Sequence, residues 1–164
     1  FGDNPEADVR FTSSLNKKRM STKVPECKVR LSEMVLMLAE AYCHKGDNAN
    51  ALKWVNELRR NRIEGVTDLT ESTLPEVRTG DRIVTDCNGK PITPLLQAIF
   101  DERRKELFME GDRWFELKRN GRPEWWVISN GLKYTTKAYL YTSPISKSDI
   151  DLNPDLVQNP GYVY

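Results

Sequence analysis

The sequence predicts a mainly α-helical fold with irregular loops and at most a small β-hairpin. Two neighbouring segments carry apolar residues at helical spacing, and a third helical pattern starts near residue 94. Strand-like alternation is short and rare. Of the 164 residues, 38% are hydrophobic and 30% are charged, as in globular proteins. A chain of this length can bury a core without disulfides or a metal ion.

The first helix is predicted over about residues 29–45. Gly46 provides a left-handed stop at its end, and Asp47 or Asn48 can cap the next helix. The helix has a broad apolar stripe, the side by which an amphipathic helix ordinarily faces the core. This stripe consists of Leu31, Val35, Leu38 and Tyr42, widened by Met34, Met37 and Ala41.

The second helix is predicted over about residues 49–62, and the short connection forces the pair into an antiparallel hairpin. Its inner face is marked by Ala51, Leu52, Val55, Leu58 and Arg59, with Trp54 beside it. Small residues in both helices allow the close approach that is typical of a tetratricopeptide hairpin. The relevant order is Ala39, Tyr42, Gly46, Ala51 and Leu52. One such hairpin cannot bury its own apolar face, so it needs neighbours.

The third helix is predicted from Pro94 or Leu95 to Met109, and Asp112 can cap a short fourth helix over residues 113–119. One face of the third helix carries Leu96, Ile99, Phe100, Arg103, Leu107 and Glu110. These helices complete the predicted helical core.

The remaining segments are predicted to be irregular. Between residues 64 and 94, the pair Asn88-Gly89 favours a tight turn, which predicts a small β-hairpin. After Gly121 regular helix ends, and short β-prone pieces such as residues 137–141 follow.

Charge and motifs argue against several classes of function. The net charge of +1 provides no field that would attract nucleic acid, and no apolar run is long enough to span a membrane. The sequence contains no G-x-S-x-G, no H-E-x-x-H, no Walker loop and no Gly-rich dinucleotide turn. We therefore expect no catalytic residue, no metal site and no cofactor.

The cysteines do not indicate a metal site either. Cys27, Cys43 and Cys87 match no metal-binding spacing, and His44 is the single histidine. The simplest interpretation is three thiols that pack as small hydrophobic side chains. One disulfide between two of them is the alternative.

Carboxylates lie four residues apart along one face of the third helix, at Glu102, Glu106 and Glu110. Paired carboxylates can perform acid–base chemistry. Here they alternate with arginines, which keep carboxylates ionised and favour ion pairs over proton donation. We therefore predict a buried structural charge network that ties the third helix to its neighbours. Its predicted members are Arg103, Glu106, Glu110 and Arg113.

Aromatic residues cluster in the irregular segment after Gly121. Flat aromatic faces suit sugar rings, and loops present such side chains to ligands. The predicted ligand-binding residues are Trp125, Trp126, Tyr134 and Tyr139. The alternative is that these rings simply cover the core. Three further aromatic residues at helical positions are predicted to belong to the core: Trp54, Trp114 and Phe115.

Several motifs in one order resemble the SusD/RagB family. The strongest is the run ERRKELFMEGDRWFELKR at residues 102–119, and QNPGY closes the chain at residues 158–162. Further matches are the D-V-R at residues 8–10, the segment from Val29 to Ala41, the A-L followed by V-N-E-L-R within residues 51–59, the S-P-I at residues 143–145 and the N-P at residues 153–154. The family's second proline after S-P-I is Ser146 here, and residues 67–94 form a longer segment than usual.

This resemblance implies that residues 1–164 are the C-terminal portion of a SusD/RagB-like domain. The chain begins FGDNPEADVRF without a methionine, so we expect it to start within a longer protein. Such proteins are surface lipoproteins of the outer membrane. They capture a glycan or other nutrient for a SusC-like, TonB-dependent transporter, and a lipid on the N-terminal part is their membrane attachment. They are not enzymes and carry no cofactor. A protein–protein interaction scaffold without a small-molecule ligand is the alternative function.

Overall fold

The fold is described by a computed structural model that covers residues 4–16, 21–22, 30–78, 80 and 82–163. Within these ranges, the α-helices are α1 (Val9–Ser14), α2 (Leu31–His44), α3 (Asn48–Arg60), α4 (Pro94–Glu106), α5 (Asp112–Arg119) and α6 (Lys147–Leu152). Short antiparallel strand pairs join β1 (Leu15–Asn16) to β2 (Ser21–Thr22) and β3 (Trp125–Ser129) to β4 (Leu132–Thr136). Two 3₁₀ turns span Pro5–Ala7 and Ala138–Tyr141. The prediction of a mainly α fold is confirmed.

The chain divides into two compact units. The first comprises residues 1–79 and 92–116, and the second comprises residues 80–91 and 117–164. The first unit is mainly helical. The second contains the hairpin of β3 and β4, the second 3₁₀ turn and α6.

Local capping explains where α3 and α4 begin. The Asp47 side chain accepts a hydrogen bond from the Asn50 amide (3.2 Å) at the start of α3, after the left-handed Gly46 has ended the preceding turn. Thr93 caps α4 in the same way, through the Leu96 amide (3.2 Å). Because these signals are local, the predicted helix bounds agree with the observed ones to within a few residues.

The core of the first unit lies where α2, α3 and α4 meet. α2 packs against both α3 and α4, and α3 also contacts α4. Two small residues of the tetratricopeptide-like pattern, Ala39 and Ala51, are fully buried in this core. The buried centre consists of Ala39, Ala51, Val55, Leu95 and Ile99.

The face of α2 that was predicted to be buried is largely exposed. Leu36 and Ala39 are fully buried on the inner side, whereas Leu31 is 77% exposed and Met34 is also exposed. The prediction was wrong because α2 is apolar on both sides, so its period identifies a helix without choosing the inner side. Tyr42 alone of the predicted stripe packs beside the core.

Two of the predicted core aromatics lie at the surface. Phe115 is 67% exposed and Trp114 is 38% exposed, because α5 turns Glu116 and Leu117 inward instead. Trp54 does pack against the core as predicted.

The predicted hairpin around Asn88-Gly89 is reduced to a single antiparallel bridge between Thr85 and Pro91. The Asp86 carboxylate organises this turn, since its Oδ1 accepts hydrogen bonds from the amides of Asn88 and Lys90, both at 2.8 Å. A side chain that bonds its own loop competes with strand pairing.

A regular hairpin forms instead at β3 and β4. Asn130 (φ 50°) and Gly131 (φ 76°) both adopt left-handed backbone conformations, as a tight primed turn requires. The same Asn-Gly signal flanked by β-prone residues is visible in the sequence, so this hairpin was predictable. Residues 138–141 form a 3₁₀ turn and not the β-prone piece that was predicted there.

Candidate functional site

The first candidate site is a buried charge network on α4. Glu106 is almost completely buried and accepts hydrogen bonds from Arg62 (Nε to Oε2, 3.0 Å; Nη2 to Oε1, 3.0 Å) and from Arg30 (Nη1 to Oε1, 2.8 Å). Arg30 also donates to the Glu106 carbonyl oxygen and to Glu110 Oε1 (2.8 Å). One arginine before α2 therefore holds two carboxylates near the end of α4.

Glu102 organises a second part of the same network. It is ion-paired with Arg10 (Nη1 to Oε2, 2.8 Å), Arg59 (Nη1 to Oε1, 2.8 Å) and Lys105 (Nζ to Oε1, 2.9 Å). The Arg10 guanidinium is oriented in turn by Asp8, through Nε to Oδ1 (2.9 Å) and Nη2 to Oδ2 (2.7 Å). The network thus connects α4 with α3 and with the segment around α1.

The environment of these carboxylates keeps them ionised. Burial alone would raise the pKa of Glu102, but the charges of Lys105 and Arg10 outweigh it and lower that pKa. The pKa of Glu106 is lowered as well, because hydrogen bonds from Arg62 and Ser32 overcome the effect of burial. A general acid needs a raised pKa, so this geometry suits structural ion pairs better than proton transfer.

Arg103 and Arg113 belong to a separate group. Arg103 donates to Asp112 (Nη2 to Oδ1, 2.7 Å) and approaches Glu33 (3.4 Å), whereas Arg113 is paired with Glu116. Burial raises the pKa of Glu116, and the Arg113 charge only partly counteracts this. Of the four predicted network residues, the structure brings Glu106 and Glu110 together through Arg30, and it places the two arginines elsewhere.

Sequence reasoning missed most of the partners. The unpredicted members are Asp8, Arg10, Arg30, Arg59, Arg62 and Lys105. Several lie in the quoted family motifs, which was the one available signal. Within the described ranges, no group of three or more His, Cys, Asp or Glu side chains is arranged to hold a metal ion.

The second candidate site is the aromatic surface of the β3–β4 hairpin. Trp126 pairs with Thr135 and Val127 pairs with Tyr134 in the strand register. Because side chains alternate along a strand, Trp126 and Tyr134 lie on opposite faces. Both rings are about half exposed, at 52% and 51%. The structure therefore does not bring these two predicted ligand-binding residues into one surface.

Trp125 is held by its own surroundings. Its Nε1 donates to the Tyr141 hydroxyl (3.0 Å), which donates in turn to the Pro123 carbonyl (2.9 Å). The Arg82 guanidinium lies 4.3 Å from the centre of the indole ring. With its polar atom satisfied and a cation over its ring, Trp125 anchors the base of the hairpin.

Tyr139 is also engaged in packing. It meets Tyr162 edge-to-face with the ring centres 5.0 Å apart, and a Cβ at Gly161 would lie only 2.4 Å from the Tyr139 ring. The Tyr162 hydroxyl donates to the Thr142 carbonyl (2.9 Å). Glycine at position 161 therefore allows the C-terminal segment to cover one side of Tyr139.

Trp126 differs from these two rings. The Lys133 Nζ lies 4.9 Å from the centre of its ring. Lys133 is on β4, diagonal to Trp126 on the same face of the hairpin. Of the predicted ligand-binding residues, Trp126 and Tyr134 are the most exposed.

The helical hairpin and the helix packed against it place the protein among mainly helical, tetratricopeptide-like folds. Within that class, the chain belongs to the SusD family, which it matches over residues 8–162. The resemblance predicted from the motifs is thereby confirmed.

Related proteins agree with this assignment. The SusD-like protein P38 of Formosa agariphila is 30% identical over 120 residues, which are 71% of this chain and 22% of that protein. The crystal structure of a SusD-like protein from Bacteroides fragilis is similar with a TM-score of 0.54 and 26% identity, covering 82% of this chain and 25% of that one.

A second solved structure, of a Bacteroides vulgatus protein assigned to sugar binding, has a TM-score of 0.61 and 26% identity, covering 96% of this chain and 36% of that one. The chain thus spans between 22% and 36% of the length of these relatives. In the described part of the chain, every helix is too short or too polar to cross a membrane.

Proposed function

We propose that the protein is a non-catalytic glycan or nutrient binder that captures its ligand for a SusC-like, TonB-dependent transporter of the outer membrane. The observation that carries this proposal is the open indole of Trp126 on an exposed hairpin, in a chain of the SusD family. The sugar-binding assignment of the Bacteroides vulgatus protein supports the glycan as ligand.

An exposed indole is suited to a sugar because the C–H face of a pyranose is apolar. Stacking on one ring contributes on the order of 1 kcal/mol beyond area burial, by analogy with aromatic pairs. Since Trp126 and Tyr134 face opposite ways, a single sugar contacts one of them and not both. Weak binding follows, which suits a protein that releases its ligand to a transporter.

The buried charge network has a structural role in this proposal. Its carboxylates are ionised and paired with arginines, so they stabilise the helical unit without contacting the ligand. We further propose that the chain is the C-terminal portion of a surface lipoprotein whose membrane attachment is a lipid on a preceding segment.

Affinity electrophoresis of the intact protein in gels that contain individual glycans tests the proposal. We expect at least one glycan to retard migration and Trp126→Ala to reduce that retardation, with the circular dichroism spectrum and melting temperature unchanged. The matched control is Phe115→Ala, which removes another exposed aromatic ring outside the hairpin. The proposal is wrong if no glycan is retained, or if the Phe115 variant loses as much retention as the Trp126 variant. The first outcome would favour the interaction scaffold.

A further inference from the structure

Each face of the hairpin carries a tryptophan with a cation over its ring: Arg82 lies over Trp125, and Lys133 lies over Trp126. Trp126, Ile128, Lys133 and Thr135 share one face, and all four are exposed. Lys133 is the one charged residue within β3 and β4, which contain no aspartate or glutamate. The charge that β3 and β4 themselves contribute therefore lies on the face of Trp126.

Lys133 lacks the ion pairing that is common elsewhere in the chain. Among the described residues, no carboxylate lies within ion-pairing distance of its ammonium group. The nearest glutamate in the sequence, Glu124, is already bound to Lys137 (2.8 Å). The partner of Lys133 is instead the π-face of Trp126, at 4.9 Å. An ammonium group above an indole face is attracted to it, but weakly at an exposed site.

This arrangement treats neutral and acidic sugars differently. A neutral sugar that stacks on Trp126 competes with the ammonium group for the ring face and offers the displaced ammonium group no anionic partner. An acidic sugar can stack in the same way while its anionic group accepts the displaced ammonium as a partner. Specificity is a difference of two affinities, and here Lys133 opposes one ligand class and assists the other.

Resting on the proposed glycan-binding function, we propose that the Trp126–Lys133 face selects anionic sugars, that is, sugars bearing a carboxylate or a sulfate group. The Thr135 hydroxyl, directly across from Trp126 in the register, lies on the same face to contact sugar hydroxyls. The selected ligand class is defined by the anion and not by one particular sugar.

Two pairs of polymers test the selection on the intact protein. Polygalacturonate is compared with its methyl ester, and dextran sulfate is compared with dextran, so the carboxylate and the sulfate are separated. We expect the anionic polymer of at least one pair to be retained more strongly. The preference should decline between about 0.01 M and about 1 M salt, because screening shortens the reach of the ammonium charge.

Substitution of Lys133 should affect the anionic and the neutral polymer differently. Lys133→Gln should weaken retention of the anionic polymer about two- to fivefold, the range of a weak exposed ion pair or cation–π contact, and should not weaken retention of the neutral one. Lys133→Arg should restore the preference. Lys53→Gln is the matched control, since Lys53 also lies over a tryptophan, 5.3 Å from the ring of Trp54, but on α3.

The outcomes separate the two proposals. If glycans are retained through Trp126 but Lys133→Gln leaves the ratio of anionic to neutral retention unchanged, the selection of anionic sugars is wrong and glycan binding stands. If Lys53→Gln alters that ratio as much as Lys133→Gln, the selection is also wrong. If the intact protein retains no glycan at all, glycan binding and this inference both fail.

Discussion

Glu106 shows why a buried carboxylate in this protein needs several partners. Its side chain has almost no contact with solvent to compensate its charge. Its Oε1 accepts hydrogen bonds from both Arg30 and Arg62, and its Oε2 accepts from Arg62. A buried ion pair contributes little net stability compared with apolar packing, but removing one partner leaves an uncompensated charge in the interior. The consequences of substitution are therefore asymmetric.

Glu106→Gln should lower the free energy of unfolding by about 3–5 kcal/mol, because Arg62 loses the anion that neutralises it and Arg30 keeps only Glu110. In thermal unfolding, this corresponds to a decrease in melting temperature of roughly 10 °C for a chain of this size. Glu57→Gln is the control, since Glu57 pairs with Arg60 at the surface (3.2 Å), and we expect a much smaller change. Equal effects of the two substitutions would contradict the structural role of Glu106.

The same network makes the stability of the fold depend on pH in the acidic range. The pKa values of Glu102 and Glu106 are lowered in the folded state, so below about pH 4.3, the ordinary glutamate value, the unfolded chain binds more protons. Stability should therefore decrease as the pH falls below about 4.3. Melting temperatures measured in a pH series should show this decrease, and Glu106→Gln should make it shallower.

Glu116 makes the opposite contribution to the pH dependence of stability. Burial raises its pKa, so the folded state retains a proton that the unfolded chain has already lost above about pH 4.3. Its contribution to stability decreases as the pH rises from that value to its raised pKa. The Glu116→Gln variant should lack this component, and an identical profile to the parent above pH 4.3 would contradict the assignment.

At the scale of single elements, the sequence identifies helices better than it orients them. Caps such as Asp47 and Thr93 are local, so the bounds of α3 and α4 were predictable. The inner side of α2 was not, because apolar residues surround much of that helix. Ion-pair partners were the least predictable feature, since Arg30 and Glu106 are 76 residues apart in the sequence, and only the fold brings them together.

Two leucines on α2 test which side of this helix is buried. Leu36→Ala should lower the free energy of unfolding by about 2–5 kcal/mol, because Leu36 is fully buried and its removal leaves a cavity. Leu31→Ala should cost much less in the same denaturant titration, because Leu31 is 77% exposed. The reverse order would mean that the apolar stripe predicted from the sequence faces the core after all.

The hairpin of β3 and β4 illustrates a signal that was present but unused. Asn-Gly occurs three times in the chain, at residues 88–89, 120–121 and 130–131. The middle pair directly follows α5, and only the last pair joins regular strands. At residues 88–89, the carboxylate of Asp86 accepts hydrogen bonds from the amides of its own turn, and these bonds compete with strand pairing. A turn dipeptide therefore predicts a hairpin only where no neighbouring side chain competes for the backbone.

At the scale of the whole molecule, the two compact units carry different features. The first contains the charge network and the helical core, and the second contains the exposed aromatic hairpin. The family motif at residues 102–119 is explained largely by the ion pairs of Glu102, Arg103 and Glu106. Family membership was thus predictable from residues that stabilise the fold, whereas the ligand site that we propose consists of surface residues outside that motif.

This division predicts that stability and ligand binding can be altered separately. Glu106→Gln should lower the melting temperature and leave the glycan affinity of each folded molecule unchanged, whereas Trp126→Ala should do the reverse. The two substitutions lie in different units and share no partner in the described ranges, so their effects should add. The double variant should have the melting temperature of Glu106→Gln and the glycan retention of Trp126→Ala. Both properties are measured below the lowest melting temperature, so that only folded protein is compared. A loss of affinity in Glu106→Gln alone would show that the charge network contributes to the ligand site and is not purely structural.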